Sequence, residues 1–569
     1  MSFARIWHKW YPQGVPAQVD IQRVTMPAAL LRTADRYPER TAFIYMGKRI
    51  SYGELTRLVN RFARALTALG VGKGDKVGML LPNIPQIVIA DLAVYMIGAV
   101  TVMNNPLYTE RELAHQLNDS ETTTLVTLDL LLLRVLKIKH ETRVRTIITC
   151  HINDYLPFPK KQLFIYVKKE MYRKDEPRDG VFPFMHLIGR YPDSPVENQA
   201  QWDETAGLLY TGGTTGVSKG VELTHSNVSA LVQQFSAWFP DLAKGQAQRL
   251  LGIYPIFHSA GYLVSQNLIV WNGWTSILVP RPDPTVITEM LKKFKPDFLP
   301  GVPTIYVGLL HHEPFRKMDL SFIKGYFGGA APLPEDTLNQ LKSLHGAIIH
   351  DVYGSTETGA LATCTPWQGH LKLGTVGIPL PNTDLKLVDP ATGERISEPN
   401  RDGEICVRGP QIMKGYYNKK EETDAVLVDG WIHMGDIGRM DEDGYLTIVD
   451  RKKDMIIAGG YNVYPKEVDE ILMAHPKVME ACTIGIPDEY RGETVKAYVV
   501  PMPGATPDEG DILNHCRGLL AAYKVPRQIL FIDQLPKTAV GKIKRKAVRD
   551  LYLAGMEKQK EPLLVQTPL

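Results

Sequence analysis

The sequence predicts an α/β protein. It has a large N-terminal domain of layered α/β subdomains, a β-rich subdomain at the end of that domain, and a small α+β C-terminal domain. Three observations lead there. The chain has 569 residues, too many for one ordinary core. Apolar strand-like runs alternate with amphipathic helical patterns over several hundred residues, as at Val77–Leu81, Ile147–Cys150, Ile277–Val279 and Ala347–Asp351. From about Asp384 to Val449 the pattern changes to short β runs, such as Leu385–Val388 and Glu404–Arg408, cut by Gly and Asp turns.

Taken along the chain, Met1 to Asp20 holds Arg and His but no apolar run, so it does not read as a signal peptide. Ser51 to Gly70 reads as a helix: Ser51 and Glu54 suit a capping box, Leu55, Val59, Phe62, Leu66 and Leu69 share one face, and Gly70 stops it. The longest apolar stretch, Ile84 to Met103, is interrupted by Pro85, Gln86 and Asp91. It is expected to be a buried helix rather than a membrane span. Asp441 to Gly444 reads as a hairpin turn before a strand at Tyr445–Val449. The five charged residues Asp450 to Asp454 are expected to be exposed, as a linker or a solvated turn. The expected division is therefore 1–449, with the β-rich part at 384–449, then 450–454, then 455–569. In the last part Pro465 opens a helix that Pro476 ends, and strands are expected near Met455–Ala458, Cys482–Ile486, Ala497–Val500 and Ile529–Ile532.

Composition excludes several classes. Hydrophobic residues make up 44% and charged residues 22%, as in soluble globular proteins, and a net charge of +3 gives no sign of a nucleic-acid partner. The five cysteines, Cys150, Cys364, Cys406, Cys482 and Cys516, contain no C-x-x-C pair. A reducing, cytoplasmic setting fits them better than a zinc site or a disulfide framework.

The strongest chemical signal is the segment Tyr210-Thr-Gly-Gly-Thr-Thr-Gly-Val-Ser-Lys-Gly220. Its glycines let backbone approach an anion, and its hydroxyls and ammonium supply donors. It is not a Walker loop, because Ser218 precedes Lys219. On composition alone, a phosphate loop and a flexible turn fit equally well. Other short constellations follow: Gly328-Gly-Ala-Ala-Pro332, Tyr353-Gly-Ser-Thr-Glu357, Trp431-Ile-His-Met-Gly-Asp436, Gly459-Gly-Tyr-Asn462 and Pro536-Lys-Thr-Ala-Val-Gly-Lys542.

In this order these motifs resemble the adenylate-forming superfamily of acyl-CoA synthetases, luciferases and peptide-synthetase adenylation domains. The resemblance extends from about Met26 to Asp550 and is greatest to bacterial medium- and long-chain fatty acyl-CoA synthetases. It departs from the common pattern at Gly212, Ser218 and Met434, which replace Ser, Pro and Thr. The resemblance implies ATP, Mg²⁺ and coenzyme A. Thr211, Gly212, Gly213, Thr214, Thr215 and Lys219 would hold the phosphates. Gly329, Ala330, Ala331, Tyr353, Gly354 and Ser355 would line the adenine pocket, Thr356 would bond the α-phosphate, and Glu357 would hold the metal. Asp436 would accept from the ribose hydroxyls, since a carboxylate has two acceptor oxygens, and Arg451 would contact ribose or phosphate. Asp450 would be the hinge of a mobile C-terminal domain. That domain would bring Lys542 to the acid for adenylation, and Gly459, Gly460 and Tyr461 to the pantetheine arm for thioester formation. His258 and Tyr262 would border the acyl site, with a core tyrosine an equal reading of Tyr262.

The implied reaction activates a fatty acid as acyl-adenylate and transfers it to CoA. A ligase for a medium-chain, alicyclic or aromatic acid, and an adenylating enzyme with a non-CoA acceptor, are the alternatives. A non-catalytic binding protein fits the intact Lys219, Glu357 and Lys542 poorly. A homodimer is compatible with the resemblance. Residues 154–174 mix basic and apolar clusters, which suits either a helix covering the protein's own core or the inner face of a membrane.

Overall fold

The computed structural model describes residues 5–211, 218–242, 245–329, 333, 335–458, 461–488, 492–538 and 542–560. They fall into two compact units. The first comprises Met1–Leu385, Val407–Ile432 and Asp443–Tyr445; the second comprises Lys386–Cys406, His433–Glu442 and Leu446–Leu569. The second thus gathers part of the β-rich stretch with the C-terminal chain. The expected hinge concerns motion, which compactness does not address.

The first unit contains the layered α/β architecture. One sheet of eight strands has the order Gly415–Tyr416, Lys219–Thr224, Thr205–Thr211, Val100–Met103, Lys76–Leu80, Thr124–Leu128, Thr146–Cys150, Val181–Pro183, and is parallel from Thr205–Thr211 onward. A second, nine-stranded sheet carries a parallel run in the order Ile349–Tyr353, Gly325–Gly328, Phe298–Gly301, Arg249–Gly252, Thr275–Leu278, Thr41–Tyr45. The apolar alternation thus marks real strands, displaced by a residue or two at their ends.

The helix Tyr52–Ala68 starts where its sequence signal does. Ser51 accepts from the Glu54 N–H at 3.2 Å, but the Glu54 carboxylate pairs with Lys48 at 2.9 Å, and Ser51 is the cap that the structure shows. The apolar stretch beyond it resolves into the helix Pro85–Met96, buried on every side, and the strand Val100–Met103. Asp91, the polar interruption, is enclosed with Gln266 donating to it, and burial pushes its carboxyl up to about 7. Among the described residues no helix is long and apolar enough to cross a membrane.

In the second unit Val478–Asp488 and Gly492–Pro501 form an antiparallel pair, extended by the parallel strand Gln528–Phe531 and by the hairpin Ile456–Ala458/Tyr461–Val463. The helix Pro465–Met473 buries Val468 and Leu472 in the core that this sheet shares with Ile512 and Cys516. One expectation is corrected here. Asp450 and Arg451 are not a solvated turn but the end of the strand Leu446–Arg451, and Asp450 is only 4% exposed. A carboxylate tolerates that burial because it is hydrogen-bonded. Its two oxygens accept from the backbone N–H groups of Arg451 and Lys466, both at 2.6 Å.

Residues 154–175 leave the eight-stranded sheet of the first unit and return to it. His151 lies between two carboxylates, with Nδ1 3.0 Å from Asp129 and Nε2 2.9 Å from Asp175, and Tyr172 stacks on its ring at 4.9 Å. Burial opposes a charge on this imidazole, but the two carboxylates outweigh it and raise the group to about 10. A histidine raised above its ordinary 6.5 gives its full stabilisation below that pH and loses it as pH rises through about 10. Trypsin cleavage at Lys168, Lys169, Arg173 and Lys174, corrected for trypsin's own pH response, should therefore speed up several-fold between about pH 7 and pH 9.5. His151→Gln should be cleaved fast at both. Equal rates in the parent chain would show that the clamp is not ionic.

Candidate active site

Thr211 ends its strand directly opposite Lys219, with the two strands antiparallel. Gly212, Gly213, Thr214 and Thr215 lie outside the described residues. The residues on either side of 212–217 are fastened to their surroundings. The Tyr210 hydroxyl donates to Asp119 Oδ2 at 2.8 Å, and a Cβ on Gly220 would come within 3.1 Å of the Tyr210 ring. On the return strand, His115 Nε2 lies 3.2 Å from the Ser218 carbonyl and Gln116 donates to the Ser218 hydroxyl at 3.5 Å. The proline usual in the family at this position has no hydroxyl for that bond.

Lys219 Nζ pairs with the Glu422 carboxylate and lies 5.0 Å from the centre of the Tyr416 ring. The Tyr416 hydroxyl donates to Glu357 Oε1 at 2.9 Å, and the Glu357 carbonyl accepts from Met413 N at 2.9 Å. Residues 413–422 therefore hold Lys219 and Glu357 in one cluster. Sequence reasoning missed Tyr416 and Glu422, since an aromatic after glycine and a glutamate in a charged run carry no distinctive chemistry alone.

The other nucleotide motifs meet because their strands are neighbours. Gly325–Gly328 and Ile349–Tyr353 run parallel with Gly328 opposite Asp351, so Gly329 and Gly354 leave the sheet side by side at its carboxyl edge. That edge is where open α/β sheets bind ligands. A Cβ on Gly354 would lie 2.3 Å from the Ala360 carbonyl oxygen, so only glycine fits. The turn Thr356–Thr358 is closed by Ser355 and Thr358 in a capping box; Thr356 is buried and Glu357 half-buried. Tyr353 is half-buried at the strand end. Ala330 and Ala331 lie outside the described residues.

An apolar pocket adjoins this edge. Its lining includes Val352, Ala360 and Leu361, which flank the Tyr353–Glu357 motif, together with Leu263, Trp274 and Phe298. The one hydroxyl in the lining, on Tyr254, is spent on the Gly301 carbonyl at 2.9 Å. Trp274 and Phe298 stack at 5.4 Å. His258 caps the turn Ser259–Gly261, accepting from Ala260 N at 3.4 Å, and burial lowers its basicity. Tyr262 is 2% exposed and begins the π-helical stretch Tyr262–Asn267; its neighbours Ala260, Leu263 and Val264 face the pocket.

In the second unit Asp436 and Arg451 are paired in register across two strands, with Arg451 Nε 3.0 Å from Asp436 Oδ1. Lys542 is bonded to Thr538 through its backbone. Thr538 N donates to its carbonyl at 2.7 Å, and its own N–H donates to Thr538 Oγ1 at 3.1 Å. Its side chain is exposed by surface area, yet enough protein surrounds it to displace bulk water. That desolvation, followed by the Arg451 guanidinium, lowers its ammonium to about 8. Gly459 and Gly460 lie outside the described residues, and Tyr461 is described by its backbone, in the strand Tyr461–Val463.

Asp450 serves a helix. Tyr464, at the N-cap of Pro465–Met473, makes no side-chain cap, and Asp450 Oδ2 accepts instead from the Lys466 N–H, the first that the helix has after Pro465. Lys466 Nζ in turn donates to the Ile448 carbonyl at 2.6 Å. Asp450→Ala should therefore destabilise the second unit by about 1 kcal/mol, the usual cost of a lost cap, with Asp450→Asn losing less. Urea unfolding followed by hydrogen exchange within 465–473 measures it. An alanine variant as protected as the parent would deny the capping role.

Comparisons with known proteins agree with this arrangement. The sequence profile of the AMP-binding enzymes matches residues 30–417, and that of the AMP-binding enzyme C-terminal domain matches residues 467–542. The chain is 40% identical over 549 residues to a long-chain-fatty-acid–CoA ligase of Bacillus subtilis, covering 96% of this chain and 98% of the relative. It is 36% identical over 567 residues to one of Haemophilus influenzae, covering 97% and 100%. Among solved structures, ATP-bound MatB from Rhodopseudomonas palustris matches with a TM-score of 0.82 at 30% identity, covering 93% of this chain and 99% of that one. With matched profiles over both regions and relatives matched along nearly its whole length, the chain belongs to the AMP-binding enzymes.

Proposed function

We propose that this enzyme converts a long-chain fatty acid, ATP and coenzyme A into acyl-CoA, AMP and pyrophosphate. The observation that carries the choice of acid is the pocket beside Tyr353–Glu357, whose only hydroxyl is already used. Apart from the Trp274 indole N–H, which has no partner among the described residues, such a lining offers a polar chain nothing to bond and gains from a hydrocarbon one. The relatives named as long-chain-fatty-acid–CoA ligases support the same reading. The buried thiols fit a cytoplasmic setting. Because such acids partition into membranes, the proposal includes visits to the inner face of the bilayer.

The first step brings a carboxylate to the α-phosphorus of ATP, so neutralising charge is the main task. Lys219 would screen the departing phosphates, Thr211 and Thr356 would donate to phosphate oxygens, and Lys542 would join carboxylate and α-phosphate. A half-buried carboxylate such as Glu357 is the hard oxygen donor that Mg²⁺ takes, and the bound ion would supply further charge neutralisation. Asp436 and Arg451 would hold the ribose. Movement about Asp450 would then withdraw Lys542, so that the thiol of CoA attacks the acyl carbon and AMP leaves.

An acid panel with pyrophosphate release as readout tests the substrate. Hexadecanoate should exceed benzoate and short polar acids by at least roughly a hundredfold in kcat/KM, and a preference for benzoate would overturn the chain-length reading. Tyr416→Phe, which removes the hydroxyl that holds Glu357, should lower kcat/KM for ATP about tenfold, or about 1.4 kcal/mol, with part regained at higher Mg²⁺. No change at low Mg²⁺ would sever Tyr416 from the metal site.

The Lys542 ammonium, lowered to about 8, predicts a pH effect with a definite sign. The cation is the working form, so adenylation should fall as pH rises through about 8, while transfer from preformed acyl-adenylate should not share that limb. Lys542→Arg should push the limb upward beyond the measurable range, and Lys542→Ala should abolish adenylation selectively. A limb that survives in both variants belongs to another group.

A further inference from the structure

The segment between Pro157 and Lys174 was open to two readings from sequence, and its side chains now separate them. The helix Lys160–Val167 buries Phe164 alone. Leu163, Tyr166 and Val167, spaced to share one face, are 53%, 70% and 71% exposed, and Phe158 just before the helix is 83% exposed. Four large apolar side chains in so short a stretch are not the outer surface of a helix that covers its own core.

The helix is also not free to roll and hide them. Asn153 Nδ2 donates to the Lys161 carbonyl at 3.2 Å, Phe164 is inserted beneath, and Arg173 N donates to Asp129 Oδ2 at 2.6 Å. Tyr172 stacks on His151, which the two aspartates clamp. Beside it, the turn between Thr41–Tyr45 and Lys48–Ser51 presents Met46, 41% exposed; a Cβ on the next residue, Gly47, would lie 4.0 Å from Pro157 Cγ.

The charge around this apolar face has one sign. Residues 157–174 contain Lys160, Lys161, Lys168, Lys169, Arg173 and Lys174 against the single carboxylate of Glu170. None of these six cations forms an ion pair among the described residues, although such pairs are common elsewhere on the surface. The segment carries +5, and the whole chain only +3. Apolar side chains held outward and ringed by unpaired lysines match a surface with hydrocarbon beneath anionic headgroups. A second copy of the same face would bring +5 against +5.

We propose that Phe158, Leu163, Tyr166 and Val167, with the surrounding lysines, form a docking surface for an anionic phospholipid bilayer. The apolar tips enter the headgroup boundary while the ammonium groups meet the lipid phosphates. Long-range attraction comes from the lysines and is screened by salt; retention comes from the apolar four. The inference is independent of which acid the enzyme activates.

The test uses the full chain and extruded vesicles of phosphatidylcholine, alone or with about a third phosphatidylglycerol, read by co-sedimentation. The expected result is at least roughly tenfold stronger partitioning onto the anionic vesicles, lost in about 0.5 M salt. A variant with Phe158, Leu163, Tyr166 and Val167 each changed to Ser should lose about tenfold in partitioning. A second variant with Lys160, Lys161, Lys168 and Lys169 each changed to Gln should bind neutral and anionic vesicles alike. Both should keep the parent's circular dichroism and ATP–pyrophosphate exchange, because these positions lie outside the proposed machinery. Serine substitution that leaves vesicle binding unchanged would overturn the proposal. So would a parent chain that ignores vesicles but shifts from dimer to monomer with those serines in sedimentation velocity, which would make the face a self-association surface.

Discussion

Joining two anions requires cations that are already fixed when the anions meet, and a fixed cation inside a protein is stable only beside compensating charge. The ion pairs within each unit can be read from that constraint. Lys219 is held by Glu422, Arg451 by Asp436, and the guanidinium of Arg545 lies 2.6 Å from Asp469 and 3.4 Å from Asp454. Each carboxylate sits on a different element from its cation, so the ion pairs also tie strands, helices and loops together. Removing one partner would strand a charge, and the cost of that exceeds what the pair itself contributes. Lys542 is the exception. No carboxylate pairs with it among the described residues, and burial, followed by the nearby Arg451 guanidinium, lowers its basicity.

The fold was legible where periodicity is a local property. Strands at Lys76–Leu80 and Thr146–Cys150 and the helix Tyr52–Ala68 appear close to where apolar spacing puts them. What sequence could not supply is partnership across the fold. Asp450 looked solvated because its neighbours in the chain are charged, whereas its partner Lys466 lies 16 residues on. Tyr416 and Glu422 had no motif of their own and acquire meaning only from Glu357 and Lys219. The glycine at 354 is needed because Ala360 passes 2.3 Å from where its Cβ would be, a contact no spacing rule reports. Residues 160–167 read as a possible cover for the core, and Phe164 alone behaves that way.

As the proposed acyl site, the pocket would discriminate by a different principle from a nucleotide site. Hydrogen-bonding sites reject a wrong ligand strongly because they leave buried groups unpaired. An apolar wall has little to leave unpaired, so it separates chains that differ by one methylene by only about 0.8 kcal/mol. The enzyme's structure therefore suits a family of hydrocarbon acids more than one acid, with selectivity concentrated at the carboxylate end. Phe298, Trp274, Phe239 and Phe327 in its lining pack edge-on and face-on against one another, a stiff boundary compared with methionine or leucine.

The cap that Asp450 places on the helix Pro465–Met473 bears on where this protein can be cut. A profile boundary at residue 467, or a break after the charged run at 454, would seem a natural place to separate the C-terminal piece. A cut at 467 removes Pro465 and Lys466 themselves, and a cut after 454 discards both the carboxylate that accepts from the Lys466 N–H and the Ile448 carbonyl that receives the Lys466 ammonium. A separately expressed piece would need to begin at or before Leu446 to carry its own cap. In folding terms, the last strand of the β-rich region is an N-terminal extension of the C-terminal fold, and a graft between relatives keeps that helix intact only when the two are exchanged together.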